Sequence, residues 1–183
     1  MAESTLWTLS IAAVTGGTAV LASWVTSRGS TRAARIQAET AADSQRRERL
    51  RDSRRTAYLD LIEQTHKMGE LFWEVSDVLR QPYGEASAAA LQPLSERQTA
   101  EYGRLRRCVR IVELEGPPPA ADVALVVQKS TGDFHAAIRQ ALRDGAGEEG
   151  WAAAGERFDA AYSPFWRALE TFVETARDAH QGR

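Results

Sequence analysis

The chain has 183 residues, 43% of them hydrophobic, with 23 Lys and Arg against 25 Asp and Glu. A formal charge of −2 and a single cysteine exclude a strongly basic nucleic-acid-binding protein and a disulfide-stapled secreted scaffold. The length leaves room for one compact domain beside an anchor and a linker. Arginine outnumbers lysine 21 to 2, a bias typical of GC-rich bacterial genomes.

The first element is Leu6 to Val25, LWTLSIAAVTGGTAVLASWV, a stretch without a charge. At ~1.5 Å per residue its helix is about 30 Å long, the thickness of a hydrocarbon core. Trp7 and Trp24 fall roughly 25 Å apart on that helix, near the two interfaces where indoles settle. Only Glu3 precedes the stretch, whereas Arg28, Arg32 and Arg35 follow it. The positive-inside rule then places the N-terminus outside and the rest of the chain in the cytoplasm, at the inner membrane, with the three arginines within reach of anionic lipid headgroups. A cleaved signal peptide would want a basic start, which Met1–Ser4 lacks. Ala12 with Gly16, and Ala13 with Gly17, form small-residue faces through which two such helices can associate.

Residues 28–55 carry nine arginines against four acids, a net +5 that leaves residues 56–183 at −6. The segment from Thr31 has no glycine or proline and favours helix, with Gly29–Thr31 a hinge or weak point before it. Ile36, Asp43, Leu50 and Ala57 mark a sparsely filled heptad, too thin for a stable coiled coil by itself. The expected support is local, from the pairs Asp43–Arg47 and Asp52–Arg55, or from a second copy of the chain. This is a basic helical stem.

Four amphipathic segments follow. Tyr58, Leu61, Ile62, Thr65, Met68, Phe72, Val75 and Leu79 recur at helical spacing until Gln81-Pro82-Tyr83-Gly84 stops the first. An alanine-rich piece precedes Pro93, which is expected to open the second helix, with Leu94, Gln98, Tyr102, Leu105, Cys108, Val109 and Val112 inward. Gly116 and Pro117–Pro119 end it. The third starts at Pro119 or Asp122 and runs to Leu142, with Val123, Val126, Val127, Ser130, Phe134 and Ile138 on its inner face and Gly132 a soft point. The fourth spans about Glu148 to Ala179, with Trp151, Phe158, Tyr162, Phe165, Leu169 and Phe172 inward. Pro164 is expected to kink or split it, and the tail beyond Asp178 to fray. The reading is an all-α chain: a transmembrane anchor over 1–27, a stem over 28–55 and an antiparallel four-helix bundle over 56–183.

Catalytic patterns are sparse. Glu63-Gln-Thr-His66 has the E-x-x-H spacing of metal ligands in carboxylate bundles, but a full site needs a second such pair, and His135 and His180 lack a Glu three residues earlier. Glu63 and His66, with Glu70, therefore define a half-site and a metal-binding alternative. The arginines from Arg46 to Arg55 suit lipid, nucleic acid or plain solvent. An upright stem holds Arg46 about 32 Å from the anchor, against a Debye length of ~8 Å. Interleaved acids disfavour nucleic acid, which stays a minor alternative function through Arg46–Arg55. Trp73, Trp151, Trp166, Phe72, Phe158 and Phe165 read as core rather than as a ligand pocket. No cofactor is implied. The expected function is a non-enzymatic docking, scaffold or sensory-accessory module, self-associating or bound to a protein partner.

Overall fold

The computed structural model describes the backbone of residues 2–143 and 147–181, and side chains within those ranges from residue 35 onward. Every regular element among the described residues is helical: α1 (Ala2–Leu79), α2 (Glu85–Glu115), α3 (Pro118–Ser130), α4 (Gly132–Ala141) and α5 (Gly147–Gln181). The chain divides into two units, Met1–Arg49 and Leu50–Arg183. In the first, the backbone is helical through Gly29–Thr31, and every described side chain is exposed. Among the described residues no helix is long and apolar enough to cross a membrane. The stretch Leu6–Val25 lies outside the residues whose side chains are described.

The second unit is a bundle of packed helices. The inward stripe of α1 is buried from Ala57 and Tyr58 through Leu61, Met68, Phe72 and Val75 to Leu79. Phe72 lies at its centre. It stacks on Phe134 of α4 at 3.8 Å and 15°, and meets Phe158 and Phe165 of α5 edge-on at 5.9 and 5.3 Å. Fully burying one such ring contributes about 1.5–3 kcal/mol, and edge-on geometry adds to it. Within this unit α2 and α5 run opposite to α1. Gln64 meets Glu101 and Glu74 meets Arg97, while Tyr58 packs on Phe172 and the Trp151 indole donates to Leu79 O and Gln81 O at 3.0 and 3.1 Å. That indole pairs the Leu79 carbonyl, which the end of α1 cannot pair internally, and the Gln81 carbonyl in the turn that follows.

Three expectations about helix boundaries need correction. Pro93 does not open α2, and of the kink or split expected at Pro164 the split does not occur; both prolines sit inside continuous helices. The reason is their position. Pro93 and Pro164 are exposed, and so are Ala89 and Ala160, whose carbonyls lose their usual partner. Those residues lie on the solvent side of each helix, while Leu91 and Leu94, and Ala161 and Phe165, hold its inner side in the core. The expected third helix instead breaks at Thr131. Ser130 Oγ donates to Val127 O at 2.7 Å and Thr131 Oγ1 to Gln128 O at 2.8 Å, and the Thr131 amide closes a tight turn onto Gln128 O. Three successive residues, Ser-Thr-Gly, thus favour local hydroxyl bonds and weaken the helix at one place. The end of α5 is helical as far as Gln181.

The inner face of α3 is also rotated from expectation. Ala120, Ala124 and Val127 are fully buried, whereas Val126 is 51% exposed. Small residues let α3 lie close to its neighbours. Val126 and Val123 line an outer groove with Pro164 and Ala168 of α5.

Candidate functional site

Of the residues singled out by sequence, Trp7, Ala12, Ala13, Gly16, Gly17, Trp24, Arg28 and Arg32 lie outside the described side chains. Arg35 is exposed and pairs with Glu39 at 2.9 Å. The anticipated pairs Asp43–Arg47 and Asp52–Arg55 are not among the ion pairs of the described residues. Ile36 and Leu50 are 55% and 45% exposed, so the heptad seam is open from Ile36 to Leu50 and closes only at Ala57, in the bundle core. Arg54 leaves the solvated row: its Nε donates to Glu115 O at 2.6 Å, neutralising a carbonyl at the end of α2.

Glu63 and His66 stand one turn apart on an exposed part of α1. Glu63 accepts from Lys67 Nζ at 2.6 Å, and that contact holds its carboxyl below the ordinary carboxylate value. His66 leans on the Trp166 ring at 5.5 Å. Glu70 is exposed on the next turn. Among the described residues no group of three or more His, Cys, Asp and Glu side chains is gathered to hold a metal ion. Of the aromatic set, Phe72, Trp151, Phe158 and Phe165 are buried, Trp166 is half-buried and Trp73 is exposed. Cys108 is half-buried rather than fully buried, and burial followed by Asp60 raises its thiol pKa, which keeps it protonated and unreactive.

A further cluster of polar side chains was not legible as such in the sequence. A cavity of about 290 Å³ opens beside the α3–α4 break. Its floor is Gln98 of α2, which is 1% exposed although it occupies a core position between Leu94 and Leu105. A buried amide at such a position needs a partner, and His135 of α4 supplies one, with Nδ1 at 3.2 Å from Gln98 Oε1. Burial, and then Arg139, hold the His135 pKa below the ordinary imidazole value, so the ring is neutral near pH 7. One turn along α2 from Gln98, the Tyr102 hydroxyl accepts from Gln128 Nε2 of α3 at 3.0 Å. Lys129 stands at the rim, and Gly132 contributes a stretch of bare backbone whose Cβ position faces open space. Among the described residues no carboxylate lines this cavity.

The opening lies at the break, with Gln128 and Lys129 before it and Gly132 and His135 after it among the lining residues, and the Ser-Thr-Gly sequence together with a glutamine in the α2 stripe is the signal that could have located it. No family model, no curated protein and no solved structure matches the chain.

Proposed function

We propose that the chain is a single-pass protein of the inner membrane. Its N-terminus lies outside, and its cytoplasmic part is a basic stem leading into an antiparallel four-helix bundle. In this reading it is a docking, scaffold or sensory-accessory module rather than an enzyme. The observation that carries it is the stem. Residues 35–53 are helical with every side chain exposed, Ile36 and Leu50 included. A solvated helix with an open apolar seam is completed by a second helix, from another copy or from a protein partner. The uncharged Leu6–Val25 stretch preceding it in the same helix supports the anchor.

Fractionation and cross-linking test this reading. The full chain should remain with the membrane after alkaline extraction, and a chain lacking residues 1–27 should be released. In a Cys108→Ala background, Ile36→Cys should form a disulfide-linked pair on mild oxidation of membranes, and Ala41→Cys, on the other side of the heptad, should not. A released full-length chain refutes the anchor. Equal cross-linking at 36 and 41 refutes the seam.

A further inference from the structure

We infer that the cavity at the α3–α4 break is a binding site for a small hydroxylated monocarboxylate. The inference stands independently of the membrane reading, since all its residues lie in the packed unit Leu50–Arg183.

The hydrogen-bond inventory carries the argument. Gln98 and His135 satisfy each other through one atom apiece. If His135 Nδ1 carries the proton, Gln98 Oε1 accepts it; the Gln98 amide NH₂ then remains as a donor and His135 Nε2 as an acceptor. If the Gln98 amide is turned over, its carbonyl remains as acceptor and His135 Nε2–H as donor. Either way the pair presents one donor and one acceptor. A ligand hydroxyl is the group that answers both at once, because it donates and accepts. Neither Gln98 nor His135 is among the buried unpartnered polar groups of the described residues, so the free atoms of the pair are accessible from the opening and can meet a ligand there.

The other end of the cavity selects charge. Tyr102 accepts from Gln128, so its own O–H proton is free to donate. Lys129 adds an ammonium group, and among the described residues the lining has no carboxylate to compensate it. Two donors, one of them charged, suit a carboxylate. The volume of about 290 Å³ has room for a small organic acid. The site therefore fits a compact molecule with a carboxylate at one end and a hydroxyl at the other.

The test is calorimetric titration of the detergent-solubilised full chain with para-hydroxybenzoate, benzoate and para-hydroxybenzamide. Para-hydroxybenzoate should bind saturably, one per chain. Benzoate, which lacks the hydroxyl, and the amide, which lacks the charge, should each bind about tenfold more weakly. Lys129→Gln should weaken para-hydroxybenzoate by about fivefold, the upper range for an exposed ion pair, and leave para-hydroxybenzamide unchanged. Gly132→Leu fills the opening from a position where a Cβ meets nothing within 4 Å, so it should abolish binding while the unfolding midpoint stays level or rises. The proposal is overturned if none of the three probes binds saturably. It is equally overturned if Gly132→Leu binds like the wild type, or if the three probes bind alike.

Discussion

Gly69 provides a quantitative probe of how α1 meets α5. A Cβ built at Gly69 would lie 2.7 Å from both Cη2 and Cζ2 of Trp166. Carbon atoms prefer about 3.5–4.0 Å, so the indole or the helix must yield by roughly 1 Å. Overpacking of this kind costs about 1–3 kcal/mol. Against it stands the gain of about 1 kcal/mol from replacing glycine by alanine inside a helix. Gly69→Ala should therefore destabilise by about 0–2 kcal/mol. Gly103, in the middle of α2, is the control: its Cβ position meets nothing within 4 Å, so Gly103→Ala should stabilise by about 1 kcal/mol. The assay is urea unfolding of the full chain followed by circular dichroism, with Trp166→Ala closing a double-mutant cycle. Once the indole is gone, Gly69→Ala should recover the whole helix gain and match Gly103→Ala. If Gly69→Ala stabilises as much as Gly103→Ala while Trp166 is present, the close approach of α1 and α5 is wrong.

Three further outcomes follow from the packing and the buried groups. Phe72→Ala should cost about 3–5 kcal/mol by the same urea assay, because its ring touches Phe134, Phe158 and Phe165 and the cavity left behind cannot collapse easily. Trp151→Phe keeps the ring but leaves Leu79 O and Gln81 O without the indole donor; it should cost about 1–2 kcal/mol, with faster amide exchange confined first to the end of α1. The pH dependence should run in two directions. His135 has its pKa lowered from 6.5 by burial and then by Arg139, so folding favours its neutral form; its contribution is present above pH 6.5 and is lost as pH falls through the folded-state value. Burial pushes Tyr162 from 10.0 up to about 12, so its contribution is present below pH 10 and is lost as pH rises toward 12. His135→Gln should flatten the acid limb of a stability–pH profile and Tyr162→Phe the alkaline limb, each leaving the other in place.

The core of α1 and α5 was readable because it is made of large residues at regular spacing. Tyr58, Leu61, Met68, Phe72 and Val75, and Trp151, Phe158, Phe165 and Phe172, are all buried. For α3 the same method was led astray by side-chain size. Hydropathy favours Val123 and Val126, yet the buried series is Ala120, Ala124, Val127, Thr131, Phe134, Ile138 and Ala141, which keeps helical spacing through the break. Alanine carries little hydrophobic signal, but it allows backbones to approach, and that closeness is a property of the neighbouring helices rather than of α3. The prolines misled for a related reason. A lost backbone bond is tolerated when its carbonyl faces water, and which side of the helix that is depends on the assembled bundle. The cavity was hidden twice over: Gln98 reads as an imperfection in an apolar stripe, and its partner His135 lies on a different helix.

The stacked position of Phe72 also sets a timetable. Its aromatic partners, Phe134, Phe158 and Phe165, all come later in the chain, the last two on the final helix. At roughly 5–20 residues per second, a ribosome needs several seconds after making Phe72 before α5 exists at all. During that interval the first bundle helix carries an unpaired apolar stripe. The nascent protein thus has a built-in period of vulnerability, which ends only when the last-made residues, beginning with Trp151 on the carbonyls of Leu79 and Gln81, seal the first-made helix of the bundle. Truncations from the C-terminus should for this reason be degraded or held by chaperones rather than accumulate as smaller folded forms.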